Sequence, residues 1–194
     1  MSINDFGGGD LQMDTVERFA SEVVSFCQWV ASGTDTSAAA ARNGLLQVTR
    51  LYLAALELPP PWSEELANQP PDAVRIGDNE WREVYTACGR LPLDYYYSVS
   101  DLFIVPPEEP TIGSLPDDLA DIYRDVESGL REFQAGRRAQ AVWEWGFGFR
   151  HHWGEHATGA IRALHSWLQE NAFDRLTAEA KSGTESDGDG NAPV

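Results

Sequence analysis

The sequence predicts an all-α domain: an irregular four- to five-helix bundle built from two antiparallel helical hairpins, with a Pro-rich irregular middle segment between them. Three observations point there. Apolar residues recur every three or four positions through four long segments. Those segments end at strong helix stops, namely Ser32-Gly33, Pro59-Pro60-Pro61 and Gly136. The links within each pair of segments are short, which forces neighbours to run antiparallel. With 194 residues and 42% hydrophobic content, the chain has material for one real core. We place that domain at residues 14–180, between a flexible Gly-rich N-terminus (1–13) and a disordered acidic tail (181–194).

The first helix is expected to open at Asp14-Thr15, with Glu17 placed to close a capping box. Its apolar face is Val16, Phe19, Ala20, Val23, Val24, Phe26, Cys27 and Val30. Thr36 or Ser37 opens the second, whose face runs through Leu45, Leu46, Val48, Leu51, Tyr52, Ala55 and Leu56. From 62 to 112 the periodicity weakens. A short turn at 63–66 and a helix at about 79–87 are the regular pieces. Tyr95-Tyr96-Tyr97, followed by Val99 and the apolar run at 102–105, reads as a short strand or a helical turn laid over the core. Pro106, Pro107 and Pro110 stiffen the loop that follows.

Ser114 is a good N-cap for the third long helix. Pro116 is tolerated in its first turn, and Asp117 completes a capping box. This helix runs to about Gln134 with the stripe Leu115, Leu119, Ile122, Val126, Leu130 and Phe133, and Gly136 ends it. The fourth helix is expected at 139–168, with Val142, Phe149, Trp153, Ala157, Ala160, Ile161, Leu164 and Trp167 facing the core. Gly146 and Gly148 weaken its first half and mark a kink or a close approach.

Charge narrows the function. The formal net charge is −17, and the tail contributes only Lys181 against Glu185, Asp187 and Asp189, so the acidity belongs to the domain. Such a surface repels phosphate backbones and anionic lipids, which excludes nucleic-acid and membrane binding and favours a basic protein partner. Of the 14 basic residues only Lys181 is a lysine, an Arg bias typical of a high-GC bacterial genome or a salt-adapted proteome. No apolar run is long enough to cross a bilayer and the N-terminus is polar, so the expected location is the cytoplasm. Cys27 and Cys88 lack metal or redox spacing and are expected as buried structural thiols.

The chemistry-bearing residues cluster on the second hairpin. Residues equidistant from a turn near Gly136 lie level, which sets Asp121 against His152, Asp117 against His156 and Asp118 against Glu155. His152 and His156 are one turn apart, and Asp118, Asp121 and Asp125 share one flank, beside a wall of Trp145, Phe149 and Trp153. Three arrangements compete. His152, His156 and Asp121 could hold a divalent metal with open positions. An Asp could orient a His for proton transfer next to an aromatic pocket. Or the carboxylates and imidazoles simply lock the hairpin. Glu144 and Arg124 are read as a buried ion pair with other partners or as surface charges, His151 as solvated, and His165 as surface or packing. His152-Trp-Gly-Glu-His156 has the spacing of a zinc-protease helix but lacks a Glu directly after the first His.

These residues also carry a family resemblance. Ser114-Leu115, the run from Asp117 to Asp125, Gly129-Leu130, Trp143-Glu144-Trp145, His152-Trp153-Gly154-x-His156 and Arg162-Ala163-Leu164-His165 resemble the bacterial proteins grouped as domain of unknown function 5063. Phe26-Cys27-x-Trp29-Val30 and the segment from Leu51 to Pro59 fit it too. The resemblance implies a helical cytoplasmic protein and brings no activity or site with it. The favoured expectation is a non-enzymatic accessory, regulatory or immunity-type module for a basic partner, with no cofactor. The alternative is a metal-dependent hydrolase-type enzyme using His152, His156 and Asp121.

Overall fold

A computed structural model describes residues 8–32, 34–60, 75–99, 103–106 and 109–172, with side chains from Thr15 onward. Six helices and a two-stranded ribbon occur among them, in the order α1 (Gly8–Ala31), α2 (Ala38–Leu56), α3 (Asp78–Cys88), β1 (Tyr95–Ser98), β2 (Thr111–Ser114), α4 (Leu115–Gln134), α5 (Arg138–His151) and α6 (Trp153–Asn171). The bundle is therefore all-α apart from one small sheet. The expected turn at 63–66 and the acidic tail lie outside the described residues.

Local chemistry sets most boundaries. Ser37 caps α2 by accepting the Ala40 N–H, and Ser114 caps α4 by accepting the Asp117 N–H at 3.4 Å. Gly136 sits at φ 79°, the left-handed conformation that ends α4 and starts the turn to α5. At the N-terminus the expectation fails: α1 begins at Gly8, so the segment through Asp14 is helical and Asp14-Thr15 is not the helix start. The capping-box spelling is overridden there by continuation of the helix.

The central element is α4, which packs against α1, α3, α5 and α6. Its stripe Leu115, Leu119, Ile122, Val126 and Leu130 is buried, and replacing one such Leu by Ala costs about 2–5 kcal/mol. Trp145 of α5 is fully buried against it and donates its indole N–H to the Val126 carbonyl at 2.9 Å. Gly129 makes this approach possible, since a Cβ there would lie 2.2 Å from the Trp145 indole nitrogen. The α1–α2 hairpin closes the other side, with α2 lying against α6. Cys27 and Cys88 are buried free thiols; burial raises both, that of Cys88 to about 12, which keeps them inert.

The predicted single helix at 139–168 is two helices. The break is at His152, whose backbone (φ −152°, ψ −85°) leaves the helical region, while Gly146 and Gly148 remain inside α5. Core demand places it there. Trp145 and Trp153 are both fully buried, and Trp153 donates its indole N–H back to the Trp145 carbonyl at 3.1 Å. Folding α6 against α5 this tightly leaves no room for a side chain at Gly154, where a Cβ would lie 2.1 Å from the Phe149 carbonyl oxygen.

Candidate functional site

The break at His152 turns the two imidazoles onto the acidic flank of α4. Asp118, Asp121 and Asp125 follow one another at helical spacing along that flank, so each carboxylate meets a different part of the α5–α6 corner. His156 Nδ1 lies 2.8 Å from Asp118 Oδ1, and His152 Nδ1 lies 2.8 Å from Asp125 Oδ2. The ring centroids are 4.9 Å apart at 72°. Asp121 stands between them, its Oδ2 3.7 Å from His156 Nε2. One ligand atom each from Asp121, His152 and His156 fall within 4.8 Å of one another.

The register falls within one turn of the one expected for a straight hairpin, while the hydrogen-bonded partners are shifted along α4. His152 meets Asp125, not Asp121, and His156 meets Asp118, not Asp117. The cause is the bend, which advances α6 along α4 differently from α5. Asp117 faces a cleft beside the pair, and burial together with the Asp121 charge raises its carboxyl above the usual range. Glu144 joins neither imidazole. It accepts from Gln140 Nε2 at 2.8 Å, and burial raises its carboxyl, opposed by the Arg75 charge. Arg124 lays its guanidinium over the Trp81 ring at 5.1 Å and comes within 3.8 Å of Asp121, so its partners are elsewhere than Glu144, as expected of one of the two readings. His151 is exposed with its ring against Phe147, and His165 is exposed at the surface.

Two residues that sequence reasoning missed complete the arrangement. Trp81 of α3 donates its indole N–H to Asp121 Oδ1 at 2.8 Å, which leaves Oδ2 facing the imidazoles. Tyr96 of β1 donates its hydroxyl to Asp118 Oδ2 at 2.6 Å, which leaves Oδ1 for His156. Tyr96 reaches there because two glycines clear its path. A Cβ at Gly113, its cross-strand partner, would lie 2.5 Å from the phenol ring, and one at Gly159 would lie 2.4 Å from the hydroxyl oxygen. In the sequence Tyr96 stands only as one of three tyrosines in a short strand or helical turn, with nothing to mark this contact.

The electrostatics follow from these contacts. The hydrogen bond to Asp118 raises the His156 pKa despite burial, and burial with the Asp118 bond holds the Tyr96 phenol protonated. An ionised carboxylate can only accept, so each Nδ1 carries a proton in these pairs, and in the neutral ring Nε2 then holds the lone pair. Asp118 is buried, while the His152 side chain is 47% exposed. Two clefts flank the pair. One of about 570 Å³ lies toward the ribbon and includes Tyr96, Asp117, Glu155, His156 and Arg162. The other, of about 290 Å³, lies toward α5 and includes Arg75, Arg124, Trp143, Phe147 and His152.

Comparison with known proteins adds a fold and a family. The sequence model of a domain of unknown function, DUF5063, matches residues 11–170. A crystal structure of protein BF1032 from Bacteroides fragilis, a structural-genomics target, is similar at a TM-score of 0.62 and 21% identity, over 78% of this chain and 90% of that one. At that identity the likeness speaks for the fold alone. No curated protein matches the sequence.

Proposed function

The chain belongs to the DUF5063 family, and from the geometry of its polar cluster we propose that it is a divalent-metal protein of hydrolase type, with His152, His156 and Asp121 as ligands. One observation carries this reading. Both imidazoles are held at Nδ1 by a carboxylate and Asp121 at Oδ1 by Trp81, the free Asp121 Oδ2 lies 3.7 Å from His156 Nε2, and one ligand atom from each of the three residues falls within 4.8 Å of the others. That is how outer-sphere groups orient metal ligands. Two imidazoles and one carboxylate suit Zn²⁺, Mn²⁺ or Fe²⁺ and leave positions for water. The donors stand somewhat wider than the roughly 2.0–2.2 Å ligand bonds of such an ion require, and His152, half exposed at the helix break, has room to close the gap. A bound ion of this kind lowers the pKa of its water toward about 7, which supplies a nucleophile at neutral pH. Asp118 and Asp125 keep the imidazoles oriented, and Asp117 adjoins the cleft on the His156 side, where it can take a proton.

Titration calorimetry of the metal-free protein with Zn²⁺, Mn²⁺ and Fe²⁺, beside the His152→Ala variant, tests the proposal. We expect one equivalent bound and a rise in Tm that the variant loses. Failure of all three metals to bind or to stabilise the protein refutes it.

A second reading, an accessory module for a basic protein partner, is supported by the net charge of −17 and by Tyr95, Tyr97 and Ile112 standing exposed on the ribbon. It expects an association that weakens as salt rises. An association unchanged when the acidic residues of 117–125 are neutralised counts against it.

A further inference from the structure

The cleft on the α5 side of His152 has a composition unlike the rest of this acidic surface. It holds two arginines: Arg75, exposed just before α3, and Arg124 of α4. Arg124 is fixed by stacking on Trp81, with Asp121 3.8 Å from its Nη1, and its Nε is buried without a hydrogen-bond partner among the described residues. Aromatic rings also line the cleft. Trp143 and Phe147, one turn apart on α5, stack with centroids 4.9 Å apart at 8°, and His151 lies against Phe147. Ser128 adds a hydroxyl between them, although that hydroxyl already donates to the Arg124 carbonyl. The carboxylates present are occupied: Asp125 by His152, and Glu144 by Gln140 with the Arg75 charge nearby.

We propose that this cleft is the substrate subsite of the metal centre, and that it takes the phosphoryl group of a phosphate monoester whose alcohol part is a planar ring. The guanidinium groups of Arg75 and Arg124 take the phosphoryl oxygens, since a planar fork of donors matches that group. Trp143 and Phe147 take the ring. The cleft's volume of about 290 Å³ accommodates a single-ring ester. Its mouth includes His152, so a phosphoryl group seated on the arginines lies beside the proposed ligands. This assignment rests on the metal reading for its chemistry but not for its binding. In the reaction the oxygen of a water bonds to phosphorus, the phosphorus–oxygen ester bond breaks, and the leaving oxygen takes a proton. The products are the ring alcohol and inorganic phosphate, with no change of oxidation state.

The test separates the two readings. Phenyl phosphate is titrated into the full chain without metal and with Mn²⁺ or Zn²⁺, and p-nitrophenyl phosphate hydrolysis is followed with p-nitrophenyl acetate as a neutral control. We expect phenyl phosphate to bind even without metal, with affinity reduced at least tenfold in both Arg75→Gln and Arg124→Gln. Hydrolysis of the phosphate ester is expected to need metal and to fall at least tenfold in kcat/KM in both variants. Metal affinity is expected to stay unchanged in Arg75→Gln, whose exposed position spares the fold, and acetate hydrolysis is expected to fall far less than phosphate-ester hydrolysis. Metal binding without phenyl phosphate binding, or phenyl phosphate binding indifferent to Arg75→Gln, overturns the subsite and leaves the metal reading standing. Arg-dependent phenyl phosphate binding with no metal uptake overturns the metal reading instead. Benzoate binding as tightly as phenyl phosphate overturns the phosphoryl assignment in favour of carboxylates.

Discussion

α4 carries two polar clusters on different flanks, and they are built on opposite plans. Toward α3, Glu80 and Glu127 are closed by Arg131, with Tyr123 also donating to Glu80 at 2.9 Å. Near the end of the helix, Arg137 closes Glu132, which is almost completely buried. In these ties an arginine meets each carboxylate, and an arginine has no lone pair to offer beyond the contact. Toward α6, the carboxylates Asp118 and Asp125 meet imidazoles instead, and the imidazoles keep a lone pair. A carboxylate paired with arginine is a closed tie. A carboxylate paired with histidine passes its orienting effect onward to a second donor atom. This contrast, more than the number of acids, separates the candidate site from the scaffold.

Four experiments press on the contrast, the largest effect first. Under the proposed metal centre, Asp121→Asn is expected to lower metal affinity by more than about 100-fold, because it removes the charge of a proposed ligand while Trp81 can still hold the side chain. Calorimetry reads it, and wild-type affinity in the variant breaks the distinction between the two flanks. Asp125→Asn removes an orienting carboxylate only, and a loss of about 10- to 100-fold is expected with unchanged stoichiometry. Arg131→Ala on the α3 flank is expected to reverse the pattern: denaturant unfolding shows a loss of about 1 kcal/mol, and metal affinity does not move. Any metal effect there merges the two clusters into one network.

The smallest effect concerns Glu144. Burial raises its carboxyl in the folded state, so the folded protein holds that proton more tightly than the unfolded chain does. The resulting penalty is absent below the unfolded pKa and complete once pH exceeds the folded one. Glu144→Gln is therefore expected to raise Tm modestly at pH 7 and to leave it unchanged near pH 4, read by thermal melts at both values. Arg75 offsets part of the penalty, while Asp125 and Glu132 add to it. A Tm gain equal at both pH values would show that the effect is packing and not charge.

The frame of the fold was legible because its signals are local. Ser37, Ser114 and Gly136 act within one turn of themselves, and the stripe from Leu115 to Leu130 needs only helical geometry. The residues of the site were legible as a group for the same reason, since Asp118, Asp121 and Asp125 share a flank by spacing alone. Their pairing was not. It depends on the break at His152, which is set by where Trp145 and Trp153 find room in the core, while Gly146 and Gly148, the visible weak points, stay helical. Trp81 and Tyr96 were out of reach altogether. They arrive from 40 and 22 positions away in sequence, and no local pattern announces such a meeting.

One consequence of placing α4 at the centre concerns tolerance to change in chain length. A residue inserted in a helix rotates everything beyond it by about 100°. Inside Leu115–Gln134 that rotation would carry the leucine stripe out of the core and the aspartates away from both histidines at once, so core and site share a single frame and fail together. A residue inserted between Ser98 and Thr111 leaves that frame in place, because the ribbon itself pairs Tyr96 with Gly113. Length variation within the family is accordingly expected to collect between Ser98 and Thr111, and to be absent from α4.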